Sequence, residues 1–157
     1  MQPIDSNITL FLLLDITRIL RLEFERKVQK AALGISPSEA RTLANIARFG
    51  PLNQNKLSDL TGFGAMSAAR VLKNLEAAGL VSRSADPNDR RAKIVQVTQK
   101  AAPLLTALKD VGEEVDAVTR GDMSLEDWTS LQSMLQKVRQ TQLTAYRSRR
   151  TAEETPE

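Results

Sequence analysis

At 157 residues, 41% of them hydrophobic and 26% charged, the chain holds enough apolar material for one ordinary domain's core but not for two large ones. It contains neither cysteine nor histidine, which excludes a disulfide framework, the commonest zinc, copper and iron–sulfur ligand sets, and any Ser-His or Cys-His nucleophile. The net charge of +3 is modest, and an aromatic content of 4% is too low for the stacking platforms on which single-stranded nucleic acid is held.

Asp5 or Ser6 is placed to cap a first helix running to about Ala32. Ile8, Phe11, Leu12, Ile16, Ile19 and Leu20 recur at helical spacing, and Leu10, Leu13 and Leu14 add apolar surface on the other side, so this helix expects neighbours all round. As a signal peptide or membrane anchor the run is too short, and Asp15, Arg18 and Arg21 interrupt its continuation. Ser36-Pro37-Ser38-Glu39 is a helix start, with Ser36 as N-cap, proline in the first position and Glu39 closing a capping box. Ala40, Leu43, Ala44 and Ala47 carry an apolar face on to Phe49, and Gly50-Pro51 ends it. Leu52 is a candidate minimal strand, and Asn53 caps a short helix through Leu60.

A second short helix is expected from about Ala65 to Ala78, preceded by a turn containing Gly62 and Gly64. At 100° per residue Ala68, Val71, Leu72 and Leu75 share one side, while Met66, Ser67, Arg70, Lys73 and Asn74 lie on the other. Gly79 stands where a left-handed C′ residue belongs, with Leu80 able to fold back on Leu75. Leu80 to Ser84 and Lys93 to Thr98 alternate as half-buried strands, joined by the turn-forming Asp86-Pro87-Asn88-Asp89 with Arg90 and Arg91 after it. Thr98 is placed to cap a helix from about Gln99 to Thr119, Gly121-Asp122 breaks it, and Ser124 starts a last helix. That helix carries Trp128, Leu131, Leu135, Val138, Leu143 and Tyr146 in one stripe, and Thr151–Glu157 reads as a disordered acidic tail.

Residues 36–98 hold nine Lys and Arg against five Asp and Glu, whereas residues 99–157 hold eight against ten. The positive excess therefore coincides with the short helices and hairpin, as an electrostatic footprint for nucleic acid would. A helix fits the major groove of B-form DNA, where Arg and Lys read guanine and Asn reads adenine, and an arginine on a thin hairpin suits the narrow minor groove. Taken singly, each signal has a plainer account: Arg70 and Lys73 as the wet face of an amphipathic helix, and Asp89-Arg90-Arg91 as a solvated turn. Their occurrence together within 42 residues favours DNA.

LSDL with its following turn, ARVLKNLEAAGLVSR, and DPNDRRAKIVQVT leading into a helix stand in the order and spacing of one family. In these segments the chain resembles the MarR (multiple antibiotic resistance regulator) winged helix-turn-helix regulators. The likeness extends over roughly residues 5 to 150. It departs from the family's Thr-x-x-Gly run at Thr98-Gln99-Lys100-Ala101, which bears only on the local turn.

The resemblance implies a mainly α fold with a small β-hairpin wing. Residues 1–35 and 99–150 would form an α-helical dimerisation region, and residues 36–98 the winged helix-turn-helix. It implies a cytoplasmic homodimeric repressor without metal or cofactor, reading a pseudo-palindromic operator in double-stranded DNA. The expected DNA-binding residues are Asn53, Lys56, Met66, Ser67, Ala68, Arg70, Lys73, Asn74, Asp89, Arg90 and Arg91. Among them Asp89 would pair with an arginine to shape the wing, and Arg91, alone or with Arg90, would enter the minor groove. Ile8, Phe11, Leu12, Ile16, Leu131, Leu135 and Val138 are the expected dimer contacts. A small aromatic or anionic effector would lie near Phe11, Asp15, Arg18 and Phe49, although Asp15 and Arg18, three apart, are equally read as pairing with each other. The alternative is a helical dimer that binds a ligand or protein, with weak or no specific DNA binding.

Overall fold

The computed structural model of the protein describes residues 5, 7–86 and 93–153. Its order is α1 (Thr9–Lys30), α2 (Pro37–Phe49), β1 (Leu52–Asn53), α3 (Gln54–Thr61), α4 (Ala65–Ala77), β2 (Val81–Ala85), β3 (Lys93–Val97), a 3₁₀ turn (Gln99–Ala101), α5 (Ala102–Arg120) and α6 (Leu125–Glu153). The fold is a mainly helical winged helix with a small antiparallel sheet. Two compact units divide the chain within α5, at Met1–Asp116 and Ala117–Glu157. Among the described residues no helix is long and apolar enough to cross a membrane.

Most helix boundaries follow the capping chemistry. The Ser36 hydroxyl accepts from the Glu39 amide at 3.3 Å and the Glu39 carboxylate accepts from the Ser36 amide at 2.8 Å, closing the capping box of α2. Asn53 Oδ1 accepts from the Lys56 amide at 2.9 Å at the start of α3. Ser124 Oγ accepts from the Asp127 amide at 3.0 Å at the start of α6. Two expectations fail here. α1 starts at Thr9 with Ile8 as its N-cap residue and no side-chain cap, while Asp5 accepts from the Asn7 amide one turn earlier. α6 continues through Glu153, into the segment expected to be disordered.

The core of the first unit comes from facing stripes of α2, α3, α4 and the sheet. Leu43 and Ile46 of α2, Leu57 of α3, Leu72 and Leu75 of α4, and Leu52 and Val95 of the strands are each no more than 2% exposed. Truncating any one of these leucines to alanine would cost about 2–5 kcal/mol. The sheet runs β1-β3-β2, all antiparallel, with Val81 opposite Val97, Arg83 opposite Val95, and Leu52 opposite Val95 on the other side. Because directly opposed residues share a face, this register puts Val81, Val95, Val97 and Leu52 together on the core side.

One polar tie links this core to the outer surface of α4. Besides closing the capping box, the Glu39 carboxylate accepts from Asn74 Nδ2 at 2.9 Å. Burial pushes the Glu39 carboxyl pKa up, but the bonds from the Ser36 amide, Asn74 and the Ser36 hydroxyl, with the charge of Arg70, outweigh it and hold the group below its ordinary 4.5. A depressed folded-state pKa stabilises above the unfolded value, and the gain disappears as pH falls through the folded value. Glu39→Ala is therefore expected to lose about 1 kcal/mol at neutral pH, with the gap to the parent protein narrowing below 4.5. Urea melts of both proteins across acid pH check this.

Candidate nucleic-acid interface

α3, the turn at residues 62–64 and α4 form a helix-turn-helix. Gly62 takes the left-handed conformation at φ +68°, which favours glycine and lets α3 stop. Thr61 Oγ1 donates to the Leu57 carbonyl at 2.8 Å and accepts from the Phe63 amide at 3.3 Å, so one hydroxyl fastens the turn to the helix end. Phe63 packs on the core, and Gly64 then begins α4 without a side-chain cap.

α4 buries Val71, Leu72 and Leu75 and turns its other side to solvent. Met66, 89% exposed, together with Ser67, Arg70 and Lys73 forms the outer face; Lys56 is exposed and Asn53 half-exposed at the start of α3. One of the expected DNA contacts is corrected by the geometry. Ala68 is 1% exposed, on the packed side of the helix, and has no surface to offer a duplex. Asn74 is exposed on the outer face, and its amide donates to Glu39, tying α4 to α2. Asp89, Arg90 and Arg91 lie outside the described residues.

The far end of α4 is closed more tightly than the residues suggested. Gly79, at φ +71°, donates to the Glu76 carbonyl at 2.9 Å, and the Leu80 amide donates to the Leu75 carbonyl at 2.9 Å, which completes a Schellman motif. Thr98, immediately after β3, then contributes: its amide donates to the Leu80 carbonyl at 3.0 Å and its hydroxyl to the Gly79 carbonyl at 2.7 Å. The expectation that the Thr98 side chain caps the following helix is corrected accordingly, since it forms no cap there. Lys100 Nζ donates to the Ala78 carbonyl at 2.8 Å, with its Cδ 3.5 Å from where a Gly79 Cβ would stand. Arg83 Nε of β2 lies 3.1 Å from Glu76 Oε2 of α4. The hairpin register was the signal that could have found these contacts: with Val81 opposite Val97, Thr98 must fall beside Leu80, and Lys100, two residues further, beside Ala78.

The other expected sites divide differently. Ile8 at the N-cap of α1 and Leu12 and Ile16 within it are 45–47% exposed, and Phe11 is half-buried. On α6, Leu135 and Val138 are about 40% exposed and Leu131 is half-buried. Asp15 and Arg18 lie 3.8 Å apart as a solvent-exposed pair, and Phe49, 44% exposed, has the Arg48 guanidinium 5.0 Å from its ring centroid.

A cation donating to the last carbonyls of a helix also meets the negative end of its dipole, an effect of about 0.3–1 kcal/mol. Lys100→Met, which keeps the aliphatic stem, is expected to lower stability by that amount, or roughly 1–4 °C in melting temperature, with α4 fraying first. Thermal melts together with amide exchange at Ala78–Leu80 read both effects.

Comparison with known proteins agrees with this geometry. The model of the MarR family matches residues 33–92, the span from the start of α2 to the hairpin. A crystal structure of MarR superposes with a TM-score of 0.75 at 22% identity, covering 94% of this chain and 99% of that one. A MarR transcriptional regulator from Methanosarcina mazei gives 0.71 at 22% identity, covering 85% and 95%. BpsR of Bordetella bronchiseptica, whose DNA binding is regulated by 6-hydroxynicotinic acid, gives 0.65 at 18% identity, covering 88% and 97%. The family's own model thus matches the helix-turn-helix segment, and the fold shared with these MarR-family structures extends over the flanking helices.

Proposed function

We propose that this chain is a cytoplasmic homodimeric repressor that binds a pseudo-palindromic site in double-stranded DNA and is released by a small molecule. The observation that carries the DNA-binding reading is the outer face of α4. A helix closed at its C-terminal end by the Schellman motif and buried along one side presents Met66, Ser67, Arg70 and Lys73 to solvent. Arg70 and Lys73 match the guanine edge in the major groove, and Met66 offers apolar surface to the thymine methyl, the groove's one apolar group. Lys56 and the uncapped start of α4 supply cationic and amide donors for phosphate.

Dimerisation is supported by the apolar side chains that α1 and α6 leave in water. At 100° per residue Leu12, Ile16, Ile19 and Leu22 of α1, with Ile8 at its N-cap, share one side and are 45–50% exposed, while Leu10 and Leu14, 57–58% exposed, lie on the other. A second copy covering these helices would form the α-helical dimerisation region, residues 1–35 and 99–150, below two winged regions of residues 36–98. Effector release is supported by the likeness to BpsR, and Phe11, Asp15, Arg18 and Phe49 are the residues offered for it.

Fluorescence anisotropy on a duplex selected from a random library, against a scrambled duplex and at several salt concentrations, tests the reading. The parent protein is expected to prefer the selected duplex by about 10³-fold or more. Arg70→Ala should lose about 1–3 kcal/mol on that duplex and little on the scrambled one, while Lys56→Ala should weaken both alike and shallow the salt slope. Equal, weak binding to both duplexes by the parent protein would leave the ligand- or protein-binding module as the better account.

A further inference from the structure

We infer that Arg41 is a positioning residue that ties α1 to the helix-turn-helix turn and so sets the affinity for specific DNA, an inference that rests on the DNA-binding reading above. Arg41 lies on α2, between the two structures it joins. Its Nη1 donates to Glu25 Oε1 of α1 at 3.1 Å, and its guanidinium carbon stands 4.7 Å from the ring centroid of Phe63. Phe63 immediately precedes Gly64, where α4 begins. A displacement of Glu25 thus reaches the start of the reading helix through one side chain.

Arginine is suited to this position because its planar guanidinium can stack on a ring and bond a carboxylate at once, which an ammonium group cannot. The arrangement is strained in polar terms. Arg41 Nε is buried with no hydrogen-bond partner, both side chains of the pair are 30% exposed or less, and Arg21 Nε, 3.9 Å from the same Glu25 oxygen, competes for it. Burial lowers the Arg41 pKa, partly opposed by Glu25. A link of this type adds little to stability, because apolar residues of similar volume commonly replace buried ion pairs without loss. What it adds is a fixed path from α1, the helix whose apolar side awaits a partner, to the turn that aims α4.

The test uses the full chain with Arg41→Met, Arg41→Lys, Glu25→Gln and the double variant Glu25→Gln/Arg41→Met. Melting temperature and anisotropy would be measured on the library-selected and scrambled duplexes. Arg41→Met is expected to lose about tenfold on the selected duplex, with scrambled-duplex affinity and salt slope unchanged. Glu25→Gln should shift the same way, and the double variant should be no worse than Arg41→Met alone, as for two groups acting through one contact. Arg41→Lys, which keeps the charge, should show the same split and answers the question if Arg41→Met fails to fold. Parent-like affinity for the selected duplex in either Arg41 variant would overturn the inference. So would equal losses on both duplexes with a shallower salt slope, which would make Arg41 a phosphate contact. A parent protein with no preferred duplex removes the DNA reading itself, an outcome distinct from any of these.

Discussion

The bond from the Leu80 amide to the Leu75 carbonyl, made possible by Gly79 at positive φ, is the constraint on which the rest of the winged unit depends. It turns the chain out of α4 and into β2 with no slack, so the sheet is placed by the end of the helix. β3 then pairs with β2 in a register that brings Thr98 and Lys100 back to the carbonyls α4 leaves open. Helix, hairpin and the start of α5 become one object. Within it Leu72 and Leu75 reach Leu43, Leu57 and Val95 in a common core, and the opposite face of α4 stays in water.

That arrangement explains which parts were legible in the sequence. Where a boundary is decided by a few neighbouring residues, the residues declared it: Ser36 to Glu39, Asn53 before α3, Gly79 after α4 and Ser124 before α6. The two faces of α4 followed from periodicity alone. The errors arose where a side chain had a distant alternative. Thr98 had a cap-like position, but the Gly79 carbonyl lay within reach once the strands paired. Ala68 could be placed on either list because a methyl group declares no partner, and packing decided for the core. The Arg41 contacts with Glu25 and Phe63 join three elements and have no local signature at all.

The molecule leaves two kinds of surface unanswered. One is the outer face of α4, polar and cationic apart from Met66. The other is apolar, along α1 and, separately, along α6. In the function proposed here a duplex would answer the first and a second copy the second. The two answers are connected, since a two-fold dimer presents two reading helices and requires a site with matching symmetry. In this picture Glu39 and Arg41 act as braces: one fixes α4 to α2, the other fixes the turn before it to α1.

A hydroxyl-radical footprint of the 157-residue protein on a library-selected duplex tests this account most directly, because it reports helix placement and dimer formation in one measurement. The account predicts two equivalent protected patches on one face of the duplex, centred about one helical turn apart, or a small multiple of that. A single patch, or uniform weak protection along the duplex, would contradict it.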